Sequence, residues 1–158
     1  SSNQSAKFCG TPPLAHIAGL ETAIALLEEE GLPNVWARHQ RLAGAVHAAV
    51  ERWAVPGAMR FHAKLPETRS ASVTAIEVAP GIDPEALRTV ARERFQVAMA
   101  GGLGPLAGRV FRIGHLGDMN EPMILGALAG VEAAMTVQKI PFGTDGVAAA
   151  VAYLAAQT

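Results

Sequence analysis

Apolar residues recur at helical spacing near the start of the chain, at Leu14, Ile17, Leu20, Ile24 and Leu27, before the run Glu28-Glu29-Glu30-Gly31. This pattern predicts a helix that Thr11 caps, Pro13 opens and Gly31 ends by taking the left-handed conformation. Pro33-Asn34 predicts a restart with Asn34 as cap. Val35, Trp36, His39, Leu42, Ala43, Val46 and Val50 are spaced for one buried face, and Arg38, Arg41 and Arg52 for a polar one. Pro56-Gly57 ends that helix. The spacing then shortens to that of strands, over Met59 to Ala63 and over Ala71 to Val78, where β-branched residues alternate.

Pro80-Gly81 predicts a turn, and Asp83-Pro84 the capped start of a helix reaching about Phe95. Gln96 to Met99 and Val110 to Ile113 read as two further strands, separated by the glycine-rich stretch from Gly101 to Gly108. Glu121 to about Gln138 reads as a helix on which Gly126 and Gly130 suggest a close approach by another backbone. Pro141 breaks the pattern, and a last helix runs from about Thr144 to Ala156. Helices and strands mix without regular βαβ alternation and without a repeat. The expected architecture is α+β, a small and mainly antiparallel sheet with helices packed on one face.

Composition narrows the function classes. The 158 residues are 50% hydrophobic and 17% charged, which excludes a disordered tail. Thirteen basic against fourteen acidic residues give a net charge of −1, and the basic residues do not cluster, so no nucleic-acid partner is expected. The single cysteine, Cys9, excludes a disulfide framework and a cysteine-rich metal site. No stretch is long and apolar enough for a membrane span, and the polar residues 1–7 lack the apolar core of a signal peptide. The expected location is the cytoplasm. The missing initiator methionine suggests processing or a fragment boundary.

Candidate chemistry is sparse. The glycine stretch leads into a strand rather than a helix, and its spacing fails both nucleotide-binding patterns, so it reads as an interstrand loop or a turn near a ligand. Arg112 alternates with Phe111 and Ile113 and points to the opposite face of its strand. A guanidinium there needs an anion. It clamps a substrate carboxylate or makes a structural ion pair with Glu121 or Asp118, the commoner fate of such arginines. The five histidines are scattered and read as packed or capping residues, with no metal expected. Lys7, Lys64 and Lys139 all lie in polar or terminal contexts unsuited to imine chemistry. On these residues alone the chain has an anion-binding arginine and no catalytic residue of its own.

Several ordered blocks nevertheless match one family. Gly101-Gly102-Leu103-Gly104 and Gly108-Arg109-Val110-Phe111-Arg112-Ile113-Gly114-His115-Leu116-Gly117-Asp118 resemble the C-terminal region of class V aminotransferases, in the alanine–glyoxylate and serine–glyoxylate (serine–pyruvate) branch. The blocks Phe8-x-x-Thr11-Pro12, Gly19-Leu20-Glu21 and Glu29-x-Gly31-Leu32-x-Asn34-Val35-Trp36-Ala37-Arg38-His39 agree in order. The resemblance runs from about Phe8 to the end of the chain.

It implies a pyridoxal-phosphate enzyme of fold type I, a homodimer with sites at the subunit interface. Residues 1–32 would be the tail of the large cofactor domain and 33–158 the small C-terminal domain. By resemblance Arg112 grips the carboxylate of the amino-acid or 2-oxo-acid substrate. Thr11 reaches the cofactor phosphate of the neighbouring subunit, and Gly101, Gly102 and Gly104 shape the site. Phe8 stands where some members carry a tyrosine, and lacks its hydroxyl. The family's cofactor-binding lysine belongs upstream, so the chain alone is expected to be inactive. Leu103 replaces the second arginine of the pyridoxamine–pyruvate branch, which implies an alanine-, serine- or aspartate-type donor with glyoxylate or pyruvate as acceptor. Cys9 is misplaced for desulfuration. The competing expectation is a freestanding interaction or dimerisation domain derived from the same fold. With its partner domain absent, the first helix is expected to expose its apolar stripe and to promote self-association.

Overall fold

The computed structural model describes residues 11–157. Phe8, Cys9 and Lys7 lie outside the described residues. The chain divides into two compact units that part between Ala37 and Arg38.

In the first unit, α1 spans Leu14–Glu30 and ends where Gly31 takes φ +83°. Its start differs from the expectation. Pro13 occupies the cap position and no side chain caps the helix, so Thr11 is not its cap. The helix buries none of its residues, and Leu14, Ile17, Leu20, Ile24 and Leu27 are all among the large exposed apolar side chains, as the expected stripe requires. The second helix, α2 (Leu32–Trp53), begins two residues before Asn34. Asn34 instead donates from Nδ2 to the Glu30 carbonyl at 2.8 Å, satisfying the end of α1. Trp36, expected on the buried face, is 63% exposed.

The second unit holds the sheet. Strands β1 (Met59–Phe61), β2 (Val73–Val78), β3 (Ala100–Gly101) and β4 (Val110–Gly114) form one sheet in the order β1-β2-β4-β3, antiparallel throughout. Register aligns Ile76 with Phe111 and with Phe61, so these side chains share a face. That face, with Met59 and Ile113, merges into the buried core together with residues of α2, α3 (Pro84–Phe95), α4 (Glu121–Val137) and α5 (Gly146–Ala155). The expected α+β architecture, helices on one face of a small antiparallel sheet, is the observed one. Among the described residues no helix is long and apolar enough to cross a membrane.

Local chemistry explains most boundaries. Asp83 Oδ1 accepts the Glu85 and Ala86 N–H groups at 2.8 and 3.2 Å, and Pro84 opens α3 without loss of a bond. Asn120 Oδ1 likewise accepts from the Met123 N–H at 3.0 Å and starts α4. One strand is displaced from its expected place. Gln96 adopts φ +58° to end α3, and residues 96–99 turn the chain instead of extending it, leaving β3 only Ala100 and Gly101. The extended run was read four residues too early because nothing marks Gln96 as the left-handed residue.

Three of the helices, α2, α4 and α5, are tied together by one half-buried hydrogen-bonded acid. Trp53, fully buried at the end of α2, donates from Nε1 to Glu132 Oε1 at 2.8 Å, and the Val147 N–H of α5 donates to the same oxygen at 3.0 Å. The two glycines of α4 behave differently. A Cβ on Gly130 would lie 2.5 Å from Val97 Cγ2, whereas one on Gly126 would meet nothing within 4 Å. Gly126 therefore marks no close approach. Gly126→Ala is expected to stabilise the chain by up to about 1 kcal/mol through helix propensity. Gly130→Ala should lower the melting temperature, because β-branched Val97 cannot rotate aside. Thermal unfolding of the two variants checks this, and stabilisation by both would contradict it.

Candidate carboxylate-binding site on the open sheet face

The face of the sheet opposite the helices carries its charged residues. Alternation along β4 buries Phe111 and Ile113 and sends Arg112 outward, in register with Ala75 on β2 and Ala100 on β3. One step along, Glu77 stands between two arginines. Its Oε2 accepts from Arg60 Nε at 2.9 Å and its Oε1 from Arg109 at 2.8 Å. Those two cations hold the Glu77 carboxyl below the usual carboxylate range, the Arg60 hydrogen bond being the largest cause. An open cavity of about 550 Å³ lies beside this trio, between Gly57, Gly81 and Gly108. Arg112 does not line it.

Arg112 is paired differently. Glu121 is taken by Arg41, and among the described residues no acid pairs with Arg112. Its side chain makes one hydrogen bond, from Nε to the Gly101 carbonyl at 2.8 Å. The bond orients the guanidinium and leaves both Nη groups without a partner among the described residues. A half-buried guanidinium with its two-nitrogen edge open is the geometry that accepts a carboxylate through parallel hydrogen bonds.

The glycine stretch supplies the support. Gly101 belongs to β3 itself, and Gly102 donates to the Val110 carbonyl at 2.8 Å. Beyond it the chain folds back in a short 3₁₀ turn, Gly104–Leu106, so tightly that a Cβ on Gly102 would lie 1.9 Å from the Leu106 carbonyl oxygen. Only glycine fits there. Gly104 takes φ +52°, and Leu103 at the tip is 70% exposed.

From the helix side Arg88 reaches the same strand. Its Nε donates to the Met99 carbonyl at 2.8 Å, and its Nη1 pairs with Glu85 one turn earlier on α3. Sequence reasoning missed this residue. Only a correct placement of β3 would have put Met99 within its reach.

Thr11 lies in the other unit, exposed and ahead of α1.

Of the histidines, His115 is fully buried. Its ring nitrogens lie 2.9 Å from Thr74 Oγ1 and 3.0 Å from the Ala71 carbonyl. It is a packed residue. His47 meets Phe61 and His115 edge-on, and its Nε2 is buried without a hydrogen-bond partner. Burial, with help from His115 and Arg69, pushes the His47 imidazole down to about 4.

Comparison with known proteins places this architecture. Residues 1–109 match the family described as aminotransferase class-V. The chain is 44% identical over 154 residues to the serine–glyoxylate aminotransferase of Methylorubrum extorquens, covering 96% of this chain and 37% of that protein. It is 42% identical to the L-aspartate–glyoxylate aminotransferase of Paracoccus denitrificans, covering 89% of this chain and 35% of that one. The crystal structure of pyridoxamine–pyruvate aminotransferase from Mesorhizobium loti superposes with a TM-score of 0.86 at 33% identity, over 96% of this chain and 38% of that one.

The chain belongs to the class V aminotransferase family. It spans little more than a third of the length of these relatives.

The family and its solved members imply pyridoxal phosphate as cofactor. The two lysines among the described residues are not placed to anchor that group. Lys64 and Lys139 are exposed, one in the loop after β1 and the other just past α4. What the described residues do fit is a carboxylate at Arg112.

The depressed His47 gives a pH prediction. The unfolded chain binds a proton near pH 6.5 that the folded chain refuses until about pH 4. Stability held above pH 6.5 is therefore expected to fall as the pH drops through this window. His115 and Arg69 oppose the protonated ring, and Glu51 favours it. His47→Leu should flatten the decline of melting temperature between pH 6.5 and 4. An unchanged slope would contradict the assignment.

Proposed function

We propose that this chain is the substrate-carboxylate-binding part of a pyridoxal-phosphate aminotransferase. The whole enzyme would move an amino group from a small amino acid of alanine, serine or aspartate type to glyoxylate or pyruvate. The observation that carries this reading is Arg112, anchored by Nε alone with both Nη groups free. Similarity to glyoxylate-using relatives supports the acceptor, and Leu103 at the loop tip supports a monocarboxylate or small dicarboxylate over a pyridoxamine ring.

In this reading Arg112 binds the carboxylate shared by amino donor and oxo acceptor and so orients the carbon between carboxylate and nitrogen. Gly101, Gly102 and Gly104 keep the wall beside it thin and closed. The electron sink for amino transfer is the cofactor's own chemistry. The lysine that binds the cofactor lies outside this chain, so the chain alone is inactive. Residues 1–32 form the tail of the large domain and 33–158 the small domain. Thr11 serves the cofactor phosphate of the neighbouring subunit in a homodimer.

Replacing Arg112 removes a charge-assisted bidentate contact of about 1.5 to 3 kcal/mol. In the full-length enzyme Arg112→Ala is expected to raise KM for donor and acceptor together, by about tenfold to a hundredfold. Arg112→Lys should recover part of the loss. Unchanged KM for both substrates would overturn the reading.

The domain assignment has its own test. The apolar stripe of α1, including Ile17 and Ile24, is exposed in this chain and would be covered in the whole enzyme. The 158-residue chain alone is expected to self-associate in sedimentation, and Ile17→Glu with Ile24→Glu to lower its mass. A monomeric parent chain would contradict the assignment.

A further inference from the structure

Resting on the carboxylate reading of Arg112, we propose that Arg88 is a positioning residue for substrate carboxylate binding, acting through β3. Arg112 is oriented by the Gly101 carbonyl alone, so its direction is only as fixed as that carbonyl. Yet β3 is two residues long, lies at the sheet edge and pairs only with β4. An edge strand of that length has one side of its backbone unpaired and holds its shape poorly.

Arg88 supplies the missing restraint. Its Nε holds the Met99 carbonyl at 2.8 Å, two residues before the carbonyl that holds Arg112. The Arg88–Glu85 pair also packs directly onto Gly101. A Cβ there would lie 2.7 Å from Arg88 Nη1 and 2.8 Å from Glu85 Oε1. The absence of a side chain at Gly101 is thus what lets the pair seat against the strand. Leu87, fully buried beside Arg88, fixes the helix from which it reaches. The chain of contact runs from α3 through Met99 and Gly101 to the guanidinium of Arg112.

An ordinary ion pair on one helix would have no such consequence. Arg92 and Glu93 make one on the exposed side of α3, and Arg92→Ala is the control that removes the same charge from the same helix.

The experiment measures KM and kcat of the full-length enzyme for glyoxylate and for its amino donor. Arg88→Ala is expected to raise KM for both substrates about three- to tenfold while kcat changes less than twofold, with Arg92→Ala unchanged. Arg88→Lys, which retains one donor toward Met99, should recover part of the loss. Gly101→Ala should reproduce the Arg88→Ala effect by displacing the arginine, and should add nothing in a background that carries both Arg88→Ala and Glu85→Ala, where both side chains a Cβ would meet are gone.

A further rise in KM from Gly101→Ala in the Arg88→Ala, Glu85→Ala background, or a KM for Arg88→Ala equal to that of Arg92→Ala, would overturn the proposal. If Arg88→Ala fails to fold, the Arg88→Lys and Gly101→Ala variants decide it by the same KM criterion. Failure here is separable from failure of the carboxylate reading. If Arg112→Ala raises KM and Arg88→Ala does not, only the positioning role falls. If Arg112→Ala leaves KM unchanged, the carboxylate reading itself falls.

Discussion

An arginine on a sheet face must be given an anion or left open to receive one, and the arrangement of this sheet follows from the second choice. Arg60 and Arg109 share Glu77, and Arg41 takes Glu121, so the acids near the sheet are already engaged. Arg112 receives a carbonyl instead of a carboxylate. A neutral acceptor fixes direction without neutralising charge, which leaves the strong part of the interaction for a ligand. The flanking small residues, Ala75 on one side and Ala100 on the other, leave the guanidinium uncovered.

Everything behind the sheet serves to hold that arginine still. The inner face of β4 packs Phe111 and Ile113 into a core shared by four helices. Three of those helices, α2, α4 and α5, are joined where Trp53 and the Val147 N–H meet Glu132. A half-buried carboxylate accepting two hydrogen bonds from two other helices fixes their relative positions more specifically than apolar packing alone.

Much of this was legible in the sequence, for identifiable reasons. The Asp83-Pro84 cap, the positive-φ Gly31 and the alternation from Ala71 to Val78 are local signals, and each element they predict is observed, the strand beginning at Val73. The outward direction of Arg112 followed from period-two alternation and from nothing else. What was not legible depended on contacts distant in sequence. Trp36 fits the helical stripe yet lies exposed while its neighbour Val35 is buried, because spacing alone does not set the edge of the buried face. Gly126 and Gly130 are equivalent by spacing and opposite in surroundings. Gln96 gave no glycine to announce its left-handed turn, so β3 was misplaced and with it the reach of Arg88 to Met99. Whether Arg112 would find Glu121 or remain open was decided by Arg41, a competitor 71 positions away that no local pattern reveals.

In the proposed reading the two Nη groups of Arg112, without a partner among the described residues, are engaged by the carboxylate of the substrate. Arginine side-chain NMR of the ¹⁵N-labelled full-length protein reads this directly, with the Arg112 signals assigned by their loss in Arg112→Lys. Titration with pyruvate is predicted to shift and slow the rotation of the Arg112 Nη groups while its Nε signal, already bonded to Gly101, moves little. Saturating pyruvate that leaves the Nη signals of Arg112 unchanged, or that perturbs Arg60 and Arg109 in its place, would contradict the account.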